Sequence, residues 1–399
     1  MTTITPDRAA DIRWGVCAHL GNRDYANHTP EQIVEMVRYI GASTVRTNLD
    51  PRSDAGVAQA LALQEAGIAL HAPLPCPDNW REPGALTAAA ERYLGEMAAK
   101  GLRLRSVEFA NEMNGKPEGW AEVVRREVPT VADGCEAAGV LLMGPSLIAF
   151  RTAQDAPKIR LDAQGDPLAS HYPKLAVHSY TSTRTVETAH EERLRILRDN
   201  LAPGGMPISM TETGWHTAEG EDGYTPEDQA AALATRLILE KVGRDLEEVF
   251  FYQLLDTPGD RRSEQERRFG LFRVDRTPKP IAEALHGLAE VLTDERKAAK
   301  TFTPRPLDVT IGGPTTLRSR LLQKSGGSYF LALWLAREGR DLDQPAEIAT
   351  VTLSAPARTK WWQGLDGASL ARARDRDPMT SMTVPIGGAP SILRIQPGR

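Results

Sequence analysis

Glu112 and Glu212 each close a short, mainly apolar run: Val107-Glu108-Phe109-Ala110-Asn111-Glu112 and Ile208-Ser209-Met210-Thr211-Glu212. Both runs read as buried strands, and a turn-like segment follows each acid. A carboxylate at the carboxyl end of a buried parallel strand must be desolvated or held by partners, so it has no structural reason to be there. Two such acids, far apart in sequence, supply what acid–base cleavage of a glycosidic bond requires. One must give a proton to the leaving oxygen and later take one from water. The other, ionised and about 5–5.5 Å away, must attack the anomeric carbon. Arg46 and Tyr180 are the groups expected to hold Glu212 ionised, by charge and by hydrogen bonding.

Such a pair needs a scaffold that brings distant strand ends together. Strand-like runs cover residues 13–20, 43–49, 68–75, 106–112, 140–147, 175–180, 207–212 and 249–256. Helix-like runs alternate with them at 29–41, 55–67, 87–100, 120–138, 191–201, 225–242 and 280–292. Thr29-Pro30-Glu31 and Thr225-Pro226-Glu227 read as helix starts, with Thr as cap and Pro at the first helical position. Residues 150–172 show little periodicity and read as a long loop. Eight strands alternating with helices predict a closed parallel barrel, with Glu112 ending strand four and Glu212 ending strand seven. Past residue 300 the helical period disappears. Short strand-like runs at 307–311, 316–323, 328–335, 349–353, 382–386 and 392–395 predict a small antiparallel sandwich. The expected fold is therefore α/β: a (β/α)8 TIM barrel over residues 1–297 with a smaller C-terminal antiparallel β-sandwich over residues 298–399.

The formal charge of −5 over 399 residues offers no basic field for nucleic acid. No run of about 18 uncharged apolar residues exists, so no membrane insertion is expected. The start, Met1-Thr2-Thr3-Ile4-Thr5-Pro6, lacks a basic-then-apolar leader, which suggests a cytoplasmic protein, or a secreted or periplasmic one whose leader has been removed. Cys17, Cys76 and Cys135 are odd in number and widely spaced, and fit reduced core residues. No metal-ligand spacing or phosphate-cradling glycine motif occurs, so no cofactor and no metal are expected.

In barrel enzymes the site lies at the carboxyl ends of the strands. Those ends collect His19, Arg46, Asn48, His71, Asn111, Glu112, His178, Tyr180, Glu212, Trp215 and Gln253. Amides and carboxylates of this kind meet sugar hydroxyls, and aromatic rings offer flat faces to pyranose C–H surfaces. A carbohydrate, an oligo- or polysaccharide, is the expected partner, and oligomeric state is not legible. Glu108, four residues before Glu112, shares its inward or outward sense but reads as lying at the wrong end of the strand. His178, His19 and His71 could equally be satisfied core histidines. Trp361-Trp362 could be a sugar platform, although one ring is expected to pack on the barrel. The charge run 260–268, with three acids and four arginines, reads as a solvated loop.

Asn111-Glu112 at one strand end, with Glu212 at another three strands on, resembles glycoside hydrolase clan A, the retaining barrel glycosidases. Val177-His178-Ser179-Tyr180 looks like the clan's strand six, where a His or Tyr touches the nucleophile. Phe269-Gly270-Leu271-Phe272 through Pro280 looks like its exit from strand eight, and the β-rich tail is similar to the companion domain of family 39. The resemblance implies Glu112 as acid/base, Glu212 as nucleophile and Asn111 as partner of the sugar 2-hydroxyl. Many clan members end strand eight with a sugar-stacking Trp, whereas this chain reads Phe251-Tyr252-Gln253. Trp215 or Tyr252 would then substitute. A transglycosylase on the same residues, and a non-catalytic carbohydrate-binding barrel, are the rival readings.

Overall fold

The computed structural model describes residues 1–22, 24–258, 264–342, 344–366, 371 and 375–398. Eight strands close a parallel barrel in chain order: Trp14–Cys17, Thr44–Arg46, Ala69–Pro73, Leu104–Glu108, Leu141–Gly144, Lys174–His178, Ile208–Thr213 and Glu248–Phe251. Most of their residues are buried, as expected for parallel strands enclosed by helices. All of them except Ile208–Thr213 are shorter than their apolar runs, because ladder pairing stops where the chain turns toward the mouth.

Helices Pro30–Tyr39, Asp54–Glu65, Ala85–Ala99, Trp120–Ala137, Glu191–Asn200, Glu227–Lys241 and Pro280–Leu292 pack outside the barrel. Thr29 closes a full capping box with Gln32, each side chain serving the other's backbone N–H. Thr225 does not repeat it. Pro226 takes the cap position of the later helix, and the Thr225 hydroxyl turns back to Gly223. The long segment after strand five is not featureless: it makes short helical turns at Ala149–Arg151, Thr152–Asp155, Ala156–Ile159 and Leu168–His171.

The second unit is a mostly antiparallel sheet folded into a sandwich. Its strand Glu347–Trp362 is 16 residues long and pairs Leu307–Gly312 with its first half and Ser391–Pro397 with its second. A register shift between Thr352 and Ala357 lets this strand pass from one layer to the other. Val309, Leu331, Leu333, Val351, Val384, Ile386, Leu393 and Ile395 fill the space between layers. Residues at the very start of the chain join this sheet rather than the barrel. Thr2–Ile4 pairs antiparallel with Leu307–Gly312, and Asp7–Arg8 lies parallel to Leu317–Gln323.

The two units share one apolar interface. Leu322, Phe330, Trp334, Trp362 and Ile392 continue the core that begins in the barrel. Within it, Glu187 takes a two-pronged bond from Arg236 and a third from the Trp334 indole at 2.8 Å. Arg320 reaches across to the last carbonyls of the helix Glu227–Lys241, capping Leu239 and Val242 at 3.0 and 2.6 Å. Trp362 is thus packed at the interface, while Trp361 is half-buried against the sandwich core. Among the described residues no helix is long and apolar enough to cross a membrane.

Candidate active site

The floor of the site is a layer of aligned strand residues. Register places Cys17 beside Arg46, Arg46 beside His71, and His178 beside Glu212. Register shifts at Leu70/His71, Val177/His178 and Val249/Phe251 re-aim the side chains next to this layer.

Arg46 is its centre. Its Nε and Nη2 both donate to Glu108 at 3.1 Å, Nη1 donates to Glu212 at 2.7 Å, and Nη2 reaches Asn111 Oδ1 at 2.6 Å. One planar guanidinium therefore holds a residue from strand four, its following loop and strand seven in fixed relation. Tyr180 donates to the second oxygen of Glu212 at 3.0 Å. Burial opposes ionisation of Glu212, but the charges of His178 and Arg46 and the Tyr180 bond outweigh it and lower its pKa. Tyr180 itself, buried beside that carboxylate, keeps its proton.

Glu108 is not at the wrong end of its strand. The ladder ends at Glu108, and Asn111 and Glu112 lie on the turn beyond it. Besides Arg46, Glu108 accepts from Ser146 at 2.5 Å and faces His71 at 3.4 Å and His178 at 3.5 Å. Its burial penalty is overcome by the Arg46 charge and the two histidines, and its carboxyl stays well below the usual range. Glu108 has no exposed surface, whereas the side chains of Glu112 and Glu212 are 30% and 14% exposed. Only the latter two can meet a ligand.

Glu112 sits in the left-handed region at φ 47°, ψ 47°, opening the turn Met113–Gly115. A non-glycine residue there stores about 1–2 kcal/mol of strain, and such outliers cluster at functional sites. Asn114 pins the turn by bonding Asp155 and the Ile148 amide, both from the segment after strand five. His178 Nδ1 donates to Glu112 at 2.8 Å and lies 3.6 Å from Glu212. Burial alone would lower the His178 pKa, but Glu212, Glu108 and Glu112 together raise it to about 9. Donor atoms of Glu112, His178 and Glu212 all fall within 4.8 Å of one another, a spacing that could also hold a cation. His178 would first have to give up the proton that these acids hold on it.

Several expected ligand contacts lie elsewhere. His71 is fully buried between Ser106 and Glu108, and burial keeps it neutral, so it supports Glu108 from below the cleft. His178 is likewise enclosed and reaches a ligand only through the acids it holds. Gln253 has no exposed surface, and both polar atoms of its side chain are buried. Trp215, only 4% exposed, packs on Phe251 and spends its indole N–H on the Ser182 carbonyl at 2.7 Å. Trp215 and Gln253 lie just past their strand ends, where the sense of a side chain cannot be counted from sequence because the pleat is lost.

Asn48 is exposed on the rim, beside Asn111. Half-buried Tyr252 stands edge-on to His19 and Phe269, and Phe269 in turn meets Tyr180 and His216. Of this wall, His19, Tyr180 and Tyr252 were expected at the strand ends; His216 was not, nor was Ser146 beside Glu108, and Phe269 was legible only as part of the strand-eight exit. Of the charge run after strand eight, residues 260–263 lie outside the described residues, and Glu264–Arg267 is a short helix.

No protein-family profile and no curated protein sequence matches the chain. Solved structures do. A family 39 glycoside hydrolase from Bacteroides cellulosilyticus WH2 is similar over 98% of this chain and 83% of its own, with TM-score 0.65 and 16% identity. The GH39 enzyme from Xanthomonas axonopodis pv. citri covers 99% and 96%, with TM-score 0.61 and 12% identity. A monomeric β-xylosidase from Caulobacter crescentus CB15 covers 100% and 98%, with TM-score 0.59 and 13% identity. At these identities the likeness establishes the architecture alone, over nearly the whole length of this chain.

Proposed function

We propose that this chain is a retaining glycoside hydrolase that cleaves O-glycosidic bonds of an oligo- or polysaccharide by double displacement. One observation carries the reading. Glu112 and Glu212 bring carboxylate oxygens within 4.8 Å of each other at the mouth of the barrel. Retaining enzymes separate their carboxyls by about 5–5.5 Å, whereas inverting ones need about 6.5–9.5 Å to admit water. Structures sharing the whole fold are glycosidases by name, which supports the same class.

In the first step Glu212 attacks the anomeric carbon while the bond to the leaving oxygen breaks. Glu112 gives its proton to that oxygen, so the leaving group departs neutral. The bond between Glu212 and the sugar is then broken by water, which attacks the anomeric carbon as Glu112 takes its proton. Glu212 is freed as a carboxylate and Glu112 is again protonated. Arg46 and Tyr180 hold Glu212 ionised and aimed before attack. Asn111, its oxygen engaged by Arg46, presents its amide nitrogen toward the sugar 2-hydroxyl.

Glu112→Ala should cripple turnover of natural glycosides yet allow an activated 2-fluoro-glycoside to trap a covalent adduct. Peptide mass spectrometry should find that adduct on Glu212. An adduct on another residue would overturn the assignment.

A further inference from the structure

A cavity of ≈ 520 Å³ opens beside Asn111, between the segments that follow strands two, three and four. Asn111 belongs to both the catalytic group and this cavity. Its walls include Asn48, Cys76 and Lys116 from these segments, and Arg92 and Tyr93 from the helix Ala85–Ala99. Its size is within the range of about 300–1,000 Å³ that holds small ligands.

Two features of the lining call for a ligand. Tyr93 is 6% exposed, and its hydroxyl is buried without a hydrogen-bond partner among the described residues. A hydroxyl-rich ligand that reaches this oxygen from the cavity would make the missing bond. The second feature is charge. Arg52 is closed onto Asp50 at 2.9 and 3.0 Å, so that pair is neutral. Lys116 is half-buried and, like Arg92, has no carboxylate within ion-pair distance among the described residues. Glu96 is the only other acid on the wall, which leaves a net positive charge. In a chain with 53 acidic and 48 basic residues this local sign runs against the background.

We infer that this cavity is a subsite for an acidic sugar unit, a uronate, next to the unit that reacts. Lys116 and Arg92 take its carboxylate, and Asn48, Asn111 and Tyr93 take its hydroxyls. The inference rests on the glycosidase reading and narrows it to substrates that carry carboxylates and extend beyond one sugar.

Direct binding tests it without relying on turnover. The full chain carrying Glu112→Gln would be titrated calorimetrically with di- to tetrasaccharides of glucuronic, galacturonic, mannuronic and guluronic acid, and with their neutral hexose counterparts. At least one acidic oligomer should bind about tenfold more tightly than its neutral match. That preference should shrink as sodium chloride is raised from about 50 to about 500 mM. Lys116→Met with Arg92→Met should abolish it, and Tyr93→Phe should weaken acidic and neutral ligands alike by about threefold to tenfold. Equal affinity for acidic and neutral oligomers, no binding of any of them, or a preference that survives the double substitution would each overturn the subsite. The adduct on Glu212 reads the catalytic assignment separately, so either can fail alone.

Discussion

His178 Nδ1 lies 2.8 Å from Glu112 Oε1, and the ring that makes this contact has no exposed surface. The imidazole is wedged among three carboxyl groups, with Glu212 at 3.6 Å and Glu108 at 3.5 Å. A buried cation at this point offsets charges that would otherwise repel one another across the cleft. It also sets the distance between the two acids that meet the ligand.

That arrangement has a pH signature. The folded pKa of His178 is raised to about 9 from an ordinary value of 6.5. A raised pKa contributes stability that is complete below 6.5 and is lost as pH climbs through about 9, by at most about 3 kcal/mol. Urea unfolding should therefore show stability falling between pH 6.5 and about 9.5, and His178→Asn should flatten that slope. The same variant should lower kcat by about 10–100-fold with little change in KM, because the acids lose alignment while the ligand contacts persist. An unchanged alkaline slope in the variant would show that His178 is not the group responsible.

Arg46 is the second test. Removing its guanidinium strands Glu108, which has no exposed surface, and releases Glu212 and Asn111 together. Arg46→Met should cost about 3–5 kcal/mol in urea unfolding, the range for breaking one partner out of a buried ion pair. Arg46→Lys keeps the charge but cannot make four directed bonds at once, so it should recover part of the stability and little of the activity.

The barrel was legible because its strands and helices alternate with clear period, and eight repeats leave one simple closure. Glu112, Glu212, Arg46 and Tyr180 followed from their strand ends, and the structure brings all four together. Strands Thr2–Ile4 and Asp7–Arg8 could not be read: two or three residues carry no pattern, and only the sheet edge they meet makes them strands. Glu108 was misplaced because nothing local marks the end of pairing before Asn111. His71, Gln253 and Trp215 were expected at the cleft because order along the chain reveals nearness to the mouth, not whether a side chain turns inward.

Gly287 offers a test of how the two units meet. It lies in the helix Pro280–Leu292, where replacing Gly by Ala ordinarily adds about 1 kcal/mol of stability. Here a Cβ would stand 1.8 Å from the Leu365 carbonyl oxygen, part of the backbone of the second unit. Gly287→Ala should thus lower the unfolding midpoint instead of raising it. A more stable variant would mean that the units separate without penalty at this contact.

Trp215 and Tyr252 can be told apart as floors for the reacting sugar. Trp215 is enclosed, and its indole ties the Ser182 carbonyl, so Trp215→Phe should reduce stability by about 1 kcal/mol while leaving KM within a factor of about two. Tyr252 is half-buried in the aromatic wall with His19 and Phe269, where a pyranose face could rest. Tyr252→Ala should raise KM about tenfold or more, the loss of one ring–sugar contact plus its buried area. Steady-state kinetics on both variants, with urea unfolding as the control for folding, separates the two roles. If Trp215→Phe raised KM and Tyr252→Ala did not, the floor would belong to Trp215, and the segment after strand seven would have to open to expose it.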